Sequence, residues 1–147
     1  LVTRVRDAER ELEKLRREQV QAATGKLVEY AHDVDGVRVL THDAGDGTTA
    51  DDLRTMVLDL RNRLGDTAPS VVALTGISGG RPAIVVATNP GARDRGIKAG
   101  ALVRVAAQAL GGGGGGKDDL AQGGGQDVSR IDDALSAVRW RLGELTG

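Results

Sequence analysis

Six consecutive glycines, Gly111, Gly112, Gly113, Gly114, Gly115 and Gly116, lead into Lys117-Asp118-Asp119-Leu120-Ala121-Gln122 and then into Gly123, Gly124 and Gly125. Nine of the chain's 22 glycines thus fall within fifteen positions. Glycine loses the most entropy on ordering and admits the closest approach of another backbone or a ligand. Such a stretch is either a slack tether or a loop whose bare backbone does the recognising. Consecutive N–H groups in a glycine-rich loop form an anion nest. Lys117 and the upstream Arg93, Arg95 and Lys98 supply charge for phosphates. Gln122 offers an amide to a base edge or a sugar, and equally to the loop's own backbone.

The same stretch nearly spells a nucleotide-binding loop. Gly111 to Lys117 fits G-x-x-x-x-G-K, but Asp118 stands where Ser or Thr would hold magnesium, and its carboxylate repels phosphate. A helix is predicted before the glycines, where a phosphate loop needs a strand. Nucleotide hydrolysis is excluded on these two grounds. The only histidines, His32 and His42, are ten apart, and there is no cysteine. No metal site is therefore expected, and no cofactor. Asp132 and Asp133 are adjacent on a helix and diverge by about 100°, so they support the helix's first turn rather than one catalytic centre.

Charge is uneven along the chain although the net value is −1. Between residues 31 and 66 eight acids face four bases; between 81 and 117 six bases face one acid, Asp94. The basic half leads straight into the glycines. Phe is absent, and Tyr30 and Trp140 are the only aromatics, so the core must be aliphatic and an aromatic stacking platform for bases is not expected. The absence of cysteine suits a reducing cytoplasm. No run of about 18 apolar residues is present, so no membrane partner is expected. A chain that opens on Leu1 reads as a piece of a longer protein.

Several elements must position these groups. Leu1, Val5, Ala8, Leu12 and Leu15 recur at spacings of 4 and 3 within a highly charged stretch, which predicts a coiled-coil-like helical arm over residues 1–34. Its second stripe is Ala23, Leu27, Tyr30 and Val34. A narrow seam on so charged a helix wants a partner helix, from another copy of the chain or from upstream. Residues 35–147 then read as a globular domain. Val37-Arg38-Val39-Leu40 predicts a strand, His42 to Thr49 a loop, and Leu53 to Leu64 a helix capped by Thr48, Thr49 or Asp51 and stopped by Gly65. Val71 to Thr75 and Arg81 to Ala87 predict an antiparallel hairpin. A helix from about Gly96 to Leu110, capped by Asp94, should bury Ile97, Ala101, Leu102, Val105 and Ala109. The last helix, capped by Asp127 or Ser129, carries Ile131, Leu135, Val138, Leu142 and Leu145. Trp140 falls off that stripe, either to meet a partner or to cover a loop.

This order describes a small α/β sandwich with a mixed sheet behind a helical arm. One amphipathic helix cannot bury its own stripe, so the chain after Gly125 must return to the same core. The glycines therefore form a loop inside a domain, not a tether between domains.

The run GGGGGGKDDLAQGGGQD, the preceding AGALVRVAAQAL, and the upstream VDGVRVL, LRTMVLDLRNRLG and VVALTG closely resemble the C-terminal domain of alanyl-tRNA synthetases, over nearly the whole chain. Family members commonly carry Ala within the second glycine group, where this chain has Gly124. The resemblance implies a DHHA1-like globular fold behind a helical subdomain that mediates dimerisation in some members. It implies a non-catalytic module that binds the elbow of alanine-specific tRNA and helps bring aminoacylation and editing onto one tRNA. The partners it implies are that tRNA and the other domains of the synthetase. Its elbow contacts carry over to the glycine motif with Lys117 and Gln122; Arg93, Arg95 and Lys98 rest on charge distribution alone. The alternative role is a dimerisation module whose RNA binding is weak or depends on other domains.

Overall fold

The computed structural model describes residues 8–15, 18, 26–34 and 36–146, with side chains as far as residue 144. Residues 8–15 are helical, and Leu12 and Leu15 of the expected seam are exposed. Leu1, Val5 and Ala23 lie outside the described residues, as do the rest of 1–7, 16, 17 and 19–25. The second stripe does not continue as helix. Val28–Tyr30 is a 3-10 turn, and His32–Val34 is a strand, β1, paired antiparallel with β2 (Val37–Asp46). Leu27, Val28 and Ala31 pack against the globular core instead, which ends the helix and folds the chain back.

Six strands form one mixed sheet in the order β1-β2-β3-β4-β6-β5. β2 runs through the expected loop as far as Asp46, because parallel pairing with β3 (Ser70–Ser78) carries its polar half and the Thr75 hydroxyl donates to the Asp43 carboxylate at 3.2 Å. Parallel neighbours need a crossover, and helix α1 (Ala50–Leu64) supplies it. Thr49 and Asp52 form a reciprocal capping box at its start, and Gly65 ends it. β3 and β4 (Arg81–Thr88) form the expected hairpin.

Alternation along the strands divides the core in two. Leu40, Val72, Leu74, Val85 and Ala87 face α1, which buries Leu53, Val57, Leu60 and Leu64 against them. Val37, Val39, Val71, Ala73, Ile84 and Val86 face the opposite layer. That layer holds helices α3 (Ala99–Ala109) and α4 (Ile131–Thr146). Ile131, Leu135, Val138 and Leu142 are buried as their spacing predicts. Trp140 is 75% exposed.

The join between β4 and α3 departs from expectation. Asp94 caps nothing; it ends a short helix, α2 (Pro90–Asp94), whose cap is Asn89. The Asn89 amide is wholly buried and uses its full bonding capacity. Its oxygen accepts from the N–H groups of Ser70 (2.9 Å) and Ala92 (3.0 Å), and its nitrogen donates to the carbonyls of Gly65 (3.1 Å) and Ala68 (2.7 Å). One side chain thus ties the end of α1, the start of β3 and α2 together.

Candidate nucleic-acid interface

The glycine stretch is a β-hairpin. Gly113–Gly116 is strand β5, at the sheet's edge, and Leu120–Gly124 is β6, which joins it to β4. Glycine's low strand propensity conceals this in the sequence. The reason for the composition lies in helix α3, which packs directly on the hairpin. Gly111 is the left-handed residue that ends α3, with φ of 78°. The N–H groups of Gly111 and Gly112 donate to the carbonyls of Gln108 and Ala107, closing a Schellman cap. A Cβ on Gly114 or Gly123 would lie 2.8 or 2.9 Å from Cγ1 of Val103, and one on Gly116 2.7 Å from Cα of Ala121. On Gly112 and Gly125 it would strike the carbonyls of Gly124 and Leu110, and on Gly124 it would come within 3.0 Å of the Pro82 carbonyl. Gly113 and Gly115, like the left-handed Gly111, meet nothing within 4 Å. They alternate with the filled positions, so they occupy the strand's other face, on the side of α1.

This packing also corrects the expected stripe of α3. Val103, Ala106 and Ala107 are buried, whereas Ala101, Val105 and Ala109 are half-buried. The helix is wedged between the hairpin and α4, so its apolar arc is rotated from the one that spacing alone selects.

Both ends of the hairpin are pinned by backbone bonds. At the turn, the Asp118 carbonyl accepts from the Thr88 hydroxyl (2.6 Å) and from the Ala99 N–H (2.9 Å). That second bond satisfies a free donor at the start of α3, where Lys98 provides no side-chain cap. The Asp119 carbonyl accepts from the Thr88 N–H (3.0 Å), and Arg61 reaches it at 3.5 Å. At the far end, Gly125 donates to Pro82, while Gln126 and Asp127 donate to Leu110. Asp127 then opens the 3-10 turn before α4. The Ser129 hydroxyl and N–H both donate to its carboxyl and hold it below the ordinary value of 3.8, with Arg130 adding a smaller effect of the same sign.

The predicted site residues divide between the two ends of the sheet. Lys117 follows the end of β5, beside the start of β6, the end of β4 and the starts of β3 and β2. Lys98 adjoins it through the Ala99–Asp118 bond. Arg93 and Arg95 lie at this same end, on and just after α2; Arg93 donates to the Asn89 carbonyl at 3.3 Å. The Arg95 guanidinium lies over Gly36 at the β1–β2 turn, 3.3 Å from where a Cβ would stand. It is thus near β2, four strand spacings or about 19 Å across the sheet from β5. The basic residues form a band along one end rather than a cluster. Gly111, Gly112, Gly113, Gly124 and Gly125 lie at the opposite end with Arg81, lining a shallow groove of about 350 Å³.

A second groove of about 360 Å³ opens on the α1 side of the hairpin turn, lined by Gly115, Lys117, Asp119, Leu120, Gln122 and, from α1, Arg54. Gln122 pairs across the strands with Gly115 and its side chain is exposed. Arg54 is absent from the sequence-based set. No periodicity marks it, because only the packing of α1 across β3 and β4 brings it to the hairpin. Among the described residues no cluster of His, Cys, Asp and Glu suits a metal ion, and no helix is long and apolar enough to cross a membrane.

A family model described as "DHHA1 domain" matches residues 36–144, which spans β2 to β6 with the glycine hairpin, helices α1 to α3 and most of α4. The chain belongs to the DHHA1 domain family. This chain is 56% identical over 142 residues to the alanine–tRNA ligase of Thermobifida fusca, covering 97% of this chain and 16% of the relative. It is 58% identical over 138 residues to the alanine–tRNA ligase of Kineococcus radiotolerans, covering 94% and 15%. It therefore spans about a sixth of the length of these relatives. The crystal structure of the C-Ala domain from Aquifex aeolicus alanyl-tRNA synthetase superimposes with a TM-score of 0.65 at 26% identity, over 80% of this chain and 98% of that one.

Proposed function

We propose that this DHHA1 domain is a non-catalytic tRNA-binding module of an alanine–tRNA ligase acting in the cytoplasm. It contacts the elbow of alanine-specific tRNA and helps couple aminoacylation with editing, both carried by other domains of the same enzyme. The proposed organisation is a helical arm over 1–34, whose last residues enter the sheet as β1, followed by the globular domain 35–147. The observation that carries the reading is the rigid glycine hairpin beside a band of cations, in a fold that aligns with nearly all of a C-Ala domain. Lys117, Lys98, Arg93 and Arg95 meet phosphates along that band, and the hairpin with Gln122 meets riboses and bases. A-form RNA is read largely through such shape, 2′-hydroxyl and phosphate contacts.

Titration of the 147-residue chain against alanine tRNA at rising salt tests this. Binding should be detectable at low salt and weaken steadily, because each phosphate contact releases counterions. No binding at low salt would remove the reading. Exposed Leu12 and Leu15 on a described helical stretch favour a second role, self-association through the arm. Sedimentation of the same chain decides it: a dimer supports that role and a monomer at all concentrations removes it.

A further inference from the structure

The glycines of β5 serve two purposes that alternate along the strand. Gly114 and Gly116, with Gly112 just before the strand, are required by the fold, because a Cβ on any of them would meet backbone or Val103. Gly113 and Gly115 are not so required. Neither has a left-handed φ, and a Cβ at either enters open space. Glycine in a strand weakens it, so the fold by itself would be better served there by a larger residue. Something outside the domain must come close to that face.

We propose that the α1-side face of the hairpin beside its turn is the RNA contact surface, and that Arg54 of α1 is one of its phosphate ligands. The proposal rests on the tRNA-binding reading and deepens it. Gly115 leaves a bare peptide plane on this face beside the turn, and Gln122 stands across from it. A flat strip without side chains suits the face of a ribose or base. The Gln122 amide both donates and accepts, which suits a base edge or a 2′-hydroxyl. Arg54 and Lys117 line the groove from its two sides, and both are exposed. Neither side chain forms an ion pair or hydrogen bond among the described residues, so both cations are unspent. Asp119 is the one acid in the groove; its backbone carbonyl is held by Thr88 and Arg61. Two cations against one acid, around a neutral amide and bare backbone, match a polyanion with hydrogen-bonding sugars rather than an acidic protein partner. Arg81, in the groove at the far end of the hairpin, lies outside this surface.

The test is a fluorescence-anisotropy titration of the 147-residue chain with transcribed alanine tRNA, for the wild type, Gly115→Val, Arg54→Gln and Arg81→Gln. Gly115→Val should weaken binding about tenfold while leaving the melting temperature unchanged or higher, since a branched side chain there keeps the RNA off one peptide plane and a lost hydrogen bond is of that order. Arg54→Gln should also weaken binding about tenfold and reduce the slope of log K against log salt by about one phosphate contact. Arg81→Gln should change affinity less than about twofold. If the wild type binds and both groove variants bind as well as it does, the groove is not the RNA surface and the tRNA reading stands without it. If the wild type does not bind at low salt, the tRNA reading itself fails. Should Gly115→Val lower the melting temperature, Arg54→Gln, an exposed helix substitution, decides alone by its affinity and salt slope.

Discussion

Adjacent glycines in one strand should respond oppositely to the same methyl group. At Gly114 the new Cβ would sit 2.8 Å from Val103 Cγ1 and 2.8 Å from the Gln122 carbonyl, and closer still to Gly123 Cα. Two of those three atoms are backbone and cannot swing away. Either the strands must part or α3 must lift from the hairpin. Overpacking of this kind costs about 1–3 kcal/mol, and obstruction by backbone puts Gly114→Ala near 3 kcal/mol. At Gly115 the same methyl meets nothing within 4 Å and φ lies outside the left-handed region. Gly115→Ala should therefore stabilise by about 0.5–1 kcal/mol, through the unfolded chain's lost freedom. For a domain of this size each kcal/mol moves the melting temperature by about 3 °C. Gly114→Ala should melt about 9 °C lower than wild type, and Gly115→Ala about 2 °C higher. Thermal melts followed by circular dichroism, with urea midpoints as a check, measure both. Equal losses at the two positions, or a greater loss at Gly115, would refute the division of the strand into a packed face and an open one.

Other predictions follow from single side chains. Asn89→Ala leaves two buried N–H groups and two carbonyls without their partner, and should destabilise by about 3 kcal/mol in urea unfolding. Asp127 is held below its ordinary value by Ser129, so its contribution is present above the unfolded value of 3.8 and disappears as pH falls through the lower folded value. Stability measured from pH 6 down to about 2 should thus decline less in Asp127→Asn than in wild type.

The sequence carries the parts of the fold that periodicity controls. Val71–Thr75, Arg81–Ala87, the α1 stripe with its Thr49 cap, and the Ile131–Leu142 stripe all stand where spacing places them. Features set by partners distant in sequence are not legible in the same way. β1 exists because Gly36 turns the chain back onto β2, although Tyr30 and Val34 continue a helical spacing. The glycine hairpin exists because α3 lies on it and Thr88 holds its turn. No local propensity favours strands made of glycine. For the candidate site, the motif from Gly111 to Gly125 is visible at once, but its division into packed and open glycines is not. Of the basic stretch, Arg93, Arg95, Lys98 and Lys117 lie at one end of the sheet and Arg81 at the other, and Arg95 stands about 19 Å across the sheet from β5. Arg54, nearly sixty residues before the glycines, reaches the groove only through the tertiary fold.

Ribose footprinting of alanine tRNA bound to the 147-residue chain tests the central claim most directly. The account predicts protection confined to the elbow, where the D and T loops meet, and about tenfold more protein needed to reach that protection with Arg54→Gln. Protection elsewhere on the tRNA, or none at concentrations that saturate binding, would contradict it.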